Sequence, residues 1–382
     1  MDIFKFVIPE IIFGAGSHIE IGKSADRLGA NKVFVVSDEG VKNTGWVDES
    51  IKYIKEADLS YSVWTEITPN PKDYEIVNGA EEYLNNRCDA IIAVGGGSVI
   101  DAAKAIAILV ANGGSIEDYE GIDKITKPLP PLVVVPTTAG SGAEITQFCI
   151  ITNKEKKSKM SIVSKSLIPD ISISDPNMLA TKPFELTANT GMDALTHAIE
   201  AYTSIAATPF TDVNALNAIK LISSNLRQST AQKDNMKAKE AMAMASIQAA
   251  KAFSNAILGA VHAMTHQLGG FLDVPHGAVN AILLPYVMRF NLISCVEKYA
   301  DIARAFGEAD ENLSSRELAE KAISAVDKLA RDIDIPRNLR EFGVKEEHIP
   351  LLSQNALKDV CLVTNPRDAS KEDIEKVFKT AI

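Results

Sequence analysis

Asp193 and His197 stand four residues apart in the run Gly191-Met192-Asp193-Ala194-Leu195-Thr196-His197, and His262 and His266 repeat that spacing. An α-helix puts residues i and i+4 on one face, so each pair can present two polar groups side by side. His276 follows in Asp273-Val274-Pro275-His276-Gly277, and four of the six histidines therefore lie between His197 and His276. A single histidine on an apolar helix is usually a core residue with a hydrogen-bond partner. Several such groups among apolar helices each need a buried partner, and one divalent ion would serve all of them. Three imidazoles and one carboxylate suit Fe(II), Zn(II), Mn(II) or Co(II), and ligand type alone does not choose among these. Spacing does not say which of His262 and His266 binds.

Two turns rich in small residues carry a second kind of chemistry. Val94-Gly95-Gly96-Gly97-Ser98 follows a β-like run and opens a helical stretch. Glycines there let backbone N–H groups approach a phosphate, and a helix N-terminus favours an anion. The run is not the GxGxxG fingerprint, and a tight strand-to-helix turn with Asp101 as a first-turn charge accounts for it equally well. Pro136-Thr137-Thr138-Ala139-Gly140-Ser141-Gly142 comes directly after another β-like run. Its hydroxyls and small residues suit the ribose–pyrophosphate part of a nucleotide, with a plain polar loop as the alternative. Two such loops at strand C-termini point together to a dinucleotide, because ligands sit at that edge of open sheets. Asp38, just past the run Lys32–Ser37, can accept hydrogen bonds from ribose hydroxyls and would repel a 2′-phosphate. A helix or turn cap competes for that residue. Gly14-Ala15-Gly16-Ser17 precedes a helical stretch over Ser17–Leu28, with Ser17 read as its N-cap.

The elements that must position these residues fall into two sets. Lys32–Ser37, Ala90–Val94 and Leu132–Pro136 read as buried strands, with helical periodicity between them in Val47–Glu56, Lys72–Asn85 and Val99–Val110. Strands alternating with helices imply a mostly parallel sheet covered on both faces. Further β-like runs follow at Phe148–Thr152, Met160–Val163 and Ile171–Ser174. Asp175-Pro176-Asn177 and Lys182-Pro183 then punctuate the chain, and no convincing strand follows Phe184. Glu185–Tyr202, Thr211–Leu226, Met236–Phe253 and Ser314–Ile333 instead show apolar spacing of helical period. The boundary is expected near residues 176–183. Residues 1–180 read as an α/β dinucleotide-binding domain and 181–382 as an all-helical metal and substrate domain, with the cleft between them as the default site.

Bulk properties narrow the function classes. At 382 residues two domains are the natural expectation, and 46% apolar with 23% charged residues is the balance of an ordinary globular protein. A formal net charge of −11 argues against nucleic acid, which would need a basic face. The short run Lys154, Lys156, Lys157 and Lys159 reads mainly as a solvated loop. Cys88, Cys149, Cys295 and Cys361 form no CxxC pair, as suits reduced thiols in a cytosolic protein. The opening Met1-Asp2-Ile3-Phe4-Lys5 lacks the pattern of a signal peptide. Phe253–Leu272 carries no Asp, Glu, Lys or Arg and could span a bilayer by length. His262, His266, Gln267 and Asn255 would need partners in lipid, however, so a buried helix is expected and no membrane partner.

Taken together, Gly95–Asp101 with Lys104, Pro136–Glu144, Gly191–Glu200 and the block from His262 to His276 resemble the group III, iron-containing alcohol dehydrogenases. The resemblance covers nearly the whole chain, including Asn365-Pro366-Arg367, and lies nearest the 1,3-propanediol, methanol and lactaldehyde dehydrogenase branch. It implies a metal, Fe(II) foremost with Zn(II) as an alternative, bound by Asp193, His197, His262 and His276. His266 would then stand beside the ion as a proton relay. The resemblance further implies NAD bound with Gly96, Gly97 and Ser98 at the pyrophosphate and Thr137, Thr138 and Thr146 lining the cofactor. Asp38 would face the adenosine ribose and Lys159 the nicotinamide side, with Asn70 and Asp101 also counted among the cofactor residues. The expected activity is NAD-dependent oxidoreduction of a small alcohol, diol or aldehyde by a cytoplasmic homodimer or larger homo-oligomer.

Three readings compete. A zinc polyol dehydrogenase of the glycerol type shares the architecture. A dehydroquinate-synthase-like lyase would need a basic cluster for a phosphorylated substrate, and none is visible near the ligands. A non-catalytic scaffold explains either motif set but not both.

Overall fold

The computed structural model describes residues 5–382. Met1–Phe4, on which the expectation of no signal peptide partly rests, lie outside the described residues. The chain divides into one unit of Val7–Lys182 and another of Pro183–Ile382, the latter joined by Phe6, whose ring centroid lies 6.1 Å from that of Phe210.

The first unit is built on a six-stranded sheet in the order β1-β9-β6-β4-β2-β3, every neighbouring pair parallel. Its strands are β1 (Glu10–Phe13), β2 (Lys32–Val36), β3 (Ser60–Trp64), β4 (Ala90–Gly95), β6 (Leu132–Pro136) and β9 (Ile171–Ser174). Their side chains alternate between two cores. Phe34, Val36, Ile91, Ala93 and Val134 face helices α4 (Asp73–Asn85) and α5 (Gly97–Asn112). Val33, Val35, Ile92, Val94 and Val135 face α1 (Ile21–Arg27), α2 (Glu39–Asn43) and α3 (Trp46–Glu56). Burial on both faces is why these strands read as unbroken apolar runs. A smaller sheet joins β5 (Gly121–Ile122), β8 (Ser158–Val163) and β7 (Phe148–Asn153). Lys154, Lys156 and Lys157 are exposed in the turn between β7 and β8, as the sequence leads one to expect.

The strand order reverses between β2 and β4, and both of their C-terminal ends carry residues singled out above. The Ser37 hydroxyl donates to the Val94 carbonyl at 2.7 Å and holds those ends together. Ser17 is a correction. It opens a 3₁₀ turn, Ser17–Glu20, whose N-cap is Gly16 in the left-handed region (φ 83°), and the Ser17 hydroxyl caps nothing. Gly16 turns the chain in the left-handed region, which glycine adopts without strain, whereas a serine N-cap sits in the extended region. The buried His18 beside it bonds to the carboxylate of Asp175 through Nδ1 and to Glu49 through Nε2 at 2.9 Å, tying the loop after β9 to α3.

The second unit contains no strand among the described residues. It comprises α6 (Phe184–Thr203), α7 (Pro209–Ala231), α8 (Met236–Ala256), α9 (Ala260–Leu272), α10 (His276–Asn291), α11 (Val296–Ala305), α12 (Ser315–Asp332), α13 (Ile349–Ala356) and α14 (Lys371–Ala381). No helix of the described residues is long and apolar enough to cross a membrane. The expected single helix over Phe253–Leu272 is in fact two. Ile257 adopts φ 63° between α8 and α9, and side chains take over the freed N–H groups at the start of α9. Ala260 N donates to Asn365 Oδ1 at 3.2 Å and Val261 N to Glu200 Oε1 at 2.7 Å. The break resets where α9 begins, and with it the direction of His262 and His266.

Candidate metal centre and nucleotide site

In the helical unit, α6 presents Asp193 and His197 on one face, α9 presents His262 and His266, and α10 begins at His276. The helices must approach closely for these residues to meet. At Gly277 a Cβ would lie 2.2 Å from the Asn189 carbonyl oxygen and 3.2 Å from the Asp193 Cβ, so only glycine lets α10 start against α6. The outcome is a ring of nitrogens around one oxygen. Asp193 Oδ1 lies 3.8 Å from His262 Nε2, 3.8 Å from His276 Nε2 and 3.9 Å from His197 Nε2. Asp193, His262 and His276 offer ligand atoms within 4.8 Å of one another. His197 is set slightly apart, its ring stacked between Phe253 (4.2 Å) and His262 (4.5 Å).

These separations exceed hydrogen-bond length, yet Asp193, His197 and His262 are all buried. Nitrogen and carboxylate donors gathered in this way fit a divalent cation by their chemistry. Their electrostatics agree. Burial alone would raise the Asp193 carboxyl, but the imidazoles of His197, His276 and His262 hold it well below the usual carboxylate range.

Glu200 was not among the expected ligands, but it acts on one of them. Its Oε2 lies 2.6 Å from His262 Nδ1 while its Oε1 takes the Val261 N–H. A carboxylate only accepts, so the proton sits on Nδ1 and the Nε2 lone pair turns toward Asp193. Glu200 follows Asp193 and His197 on the same face of α6, and that helical spacing was its one available signal. Glu200→Gln would leave one acceptor for two donors, so its amide N–H must face either His262 Nδ1–H or the Val261 N–H and one of the two contacts is lost. A loss of metal affinity of roughly ten- to hundredfold is expected, measured by competition with a chelator.

His266 is also buried and points to a different partner. Its Nδ1 lies 2.9 Å from Asp359 Oδ2, which further accepts from Gln267 Nε2 at 3.2 Å, and its ring stacks on His276 at 5.6 Å. Burial would raise the Asp359 carboxyl, but His266 and the Cys361 N–H hold it below its ordinary value. Asp359 carried no local sequence signal, being 93 positions from His266.

In the sheet unit, the second site gathers at the strand C-termini. The N-terminus of α5 has no side-chain cap; Val99 and Ile100 N–H groups return to the Gly96 carbonyl. At Gly97 a Cβ would lie 2.6 Å from Ser141 Oγ, so the two small-residue loops meet here with no room for a side chain. Thr137, on the second loop, is fully buried with a hydroxyl that has no hydrogen-bond partner among the described residues. An uncapped helix start, a cradle closed to any Cβ and an orphaned hydroxyl fit a bound dinucleotide phosphate. Asn70 links two further candidates, its N–H donating to Ser98 Oγ at 3.3 Å and its Oδ1 accepting from Lys159 Nζ at 2.9 Å. Thr138 lies beside Gly96, where a Cβ would come within 3.3 Å of its hydroxyl.

Other cofactor candidates have structural partners. Asp38 is an N-cap, its Oδ1 accepting from Val41 N at 2.8 Å, which leaves Oδ2 for other donors. Asp101 Oδ2 accepts from Ile150 N at 3.2 Å and fastens α5 to β7. Thr146 accepts the buried Lys104 ammonium through its carbonyl (2.8 Å) and hydroxyl (3.3 Å).

Comparison with known proteins gives one consistent result. The family model for iron-containing alcohol dehydrogenase matches residues 9–176, and that for the C-terminal part of the Fe-containing alcohol dehydrogenase family matches residues 187–382. The 1,3-propanediol dehydrogenase of Klebsiella pneumoniae is 45% identical over 382 residues, covering 99% of each chain. The NAD-dependent methanol dehydrogenase of Bacillus methanolicus is 41% identical over 377 residues, again covering 99% of each. A crystal structure of 1,3-propanediol oxidoreductase superposes with a TM-score of 0.98 at 45% identity over 100% of both chains.

Proposed function

The chain belongs to the iron-containing alcohol dehydrogenase family, and from that premise we propose which of its residues carry the reaction. The activity is oxidoreduction of alcohols and aldehydes with NAD(H) and a divalent metal. The preferred substrate is a small primary alcohol or diol, as the names of the relatives suggest. The observation that carries the assignment is Asp193 Oδ1 ringed by three imidazole nitrogens at 3.8–3.9 Å.

Asp193, His197, His262 and His276 hold the ion, which when bound draws electron density from the alcohol or carbonyl oxygen at neutral pH. Glu200 keeps the His262 Nε2 lone pair turned inward. His266, with its Nδ1 proton held by Asp359, has Nε2 available to take up or return the hydroxyl proton. Gly96, Gly97, Ser98, Thr137 and Thr138 bind the NAD pyrophosphate and its neighbouring sugars, and Asp38 the adenosine ribose. The protein works in the cytoplasm, in keeping with four buried free cysteines, and as a homodimer or larger homo-oligomer.

The test is NADH absorbance with ethanol or 1,3-propanediol after anaerobic iron loading. No turnover with any small alcohol or aldehyde would sink the substrate assignment. Zinc binds such sites more tightly than Fe(II), so equal turnover from zinc and iron forms would remove iron as the working metal.

Cofactor choice is a separate expectation. A 2′-phosphate would meet the Asp38 carboxylate, so Asp38→Gly should raise kcat/KM with NADPH relative to NADH. Equal use of both cofactors by the parent chain would remove Asp38 from the adenosine site.

A further inference from the structure

Asn280 lies on α10 one helical turn beyond His276 and is wholly buried. Its side-chain amide nitrogen sits 2.7 Å from Asp193 Oδ1 and 3.0 Å from His262 Nε2. The reverse orientation of the amide would bring its oxygen to 2.7 Å from a carboxylate oxygen, two acceptors face to face, so the N–H groups point at both ligands. Each contact is chemically matched, because His262 carries its proton on Nδ1 toward Glu200 and leaves Nε2 as an acceptor. The amide oxygen, buried on the other side, has no hydrogen-bond partner among the described residues. A buried carbonyl without a partner costs free energy, so the site tolerates a penalty to keep the two N–H groups in place.

We propose that Asn280 is a positioning residue of the metal centre, whose amide holds the Asp193 carboxylate and the His262 imidazole with their lone pairs directed at one point. The inference rests on the ligand assignment above and adds to it a residue that binds no metal itself. Glu200 fixes the His262 ring from its far side, and Asn280 donates to Asp193 Oδ1, the oxygen at the centre of the ring of nitrogens. The two contacts differ in what an arriving cation does to them. His262 Nε2 has one lone pair, so its N–H must give way to the ion. Asp193 Oδ1 has a second lone pair and keeps its N–H. The lasting contribution is therefore the orientation of Asp193.

Cobalt(II) titration of the metal-stripped full chain tests this, read as the dissociation constant and the visible absorption of the bound ion. Asn280→Leu preserves bulk and removes both amide groups; Asn280→Ala only deletes atoms and serves where leucine disturbs folding, as judged by circular dichroism. Either folded variant should bind cobalt roughly ten- to hundredfold more weakly and with an altered visible band. A folded variant whose affinity and band match the parent overturns the proposal, since a purely structural role would lower stability without touching either. Asp193→Ala, run alongside, separates the two claims. If Asp193→Ala keeps parental affinity, the ligand assignment has failed. If it loses cobalt while the Asn280 variants keep it, only the role of Asn280 has.

Discussion

Metal content and turnover should disappear together in His262→Ala, and the reason lies in how the ion would be held. His262 is the most enclosed of the ligand imidazoles, 1% exposed, and its ring is fixed at Nδ1 by Glu200. Water admitted to the truncated site cannot reproduce that orientation. The remaining donors leave the Glu200 carboxylate buried without its histidine, a loss of the kind that costs several kcal/mol. Metal analysis after anaerobic reconstitution, paired with NADH absorbance, gives both readings on one sample. Retention of a full equivalent of Fe(II) by His262→Ala would move the ligand role elsewhere, with His266 the nearest candidate.

The second large effect is the opposite pairing of outcomes at His266. Its Nδ1 is engaged by Asp359, a residue outside the ligand ring, and its ring stacks on His276 without adding to the donors around Asp193. His266→Ala should therefore retain the ion and lose turnover by roughly a hundred- to ten-thousandfold, the range of a missing general acid–base group. Because the substrate oxygen still has its ion, KM should change far less than kcat. Loss of metal in this variant, with retention in His262→Ala, would exchange the two roles.

Much of this arrangement was legible in the sequence, for physical reasons that can be traced. The strands β2, β4 and β6 are buried on both faces and so appear as continuous apolar runs. The expected α/β unit followed by a helical one is borne out. The edge strands β1 and β3 escaped notice because they are partly exposed, and Ser60-Tyr61-Ser62-Val63-Trp64 lacks an apolar run. Asp193 and His197 could be paired because a helix repeats faithfully over four residues. The break at Ile257–Gly259 could not be foreseen, because it depends on Glu200 and Asn365, which reach α9 from distant parts of the chain. Asp359 was silent for the same reason. Partners contributed from afar leave no period in the local sequence.

The ring around Asp193 draws on α6, α9 and α10, helices that only the folded chain brings together. An ion bound there acts on the survival of the molecule as well as on its chemistry. It binds the native form and not the open one, contributing about 2.7 kcal/mol when free ion stands a hundredfold above its dissociation constant. A cell starved of that ion should therefore hold fewer copies of the protein, because proteases act on the transiently opened chain. Pulse-chase half-lives would show this as a lifetime that shortens on metal depletion for the parent chain and is already short, whatever the supply, for His262→Ala. Equal lifetimes under both conditions would confine the ion to chemistry alone. Otherwise the abundance of the enzyme reports the supply of its metal.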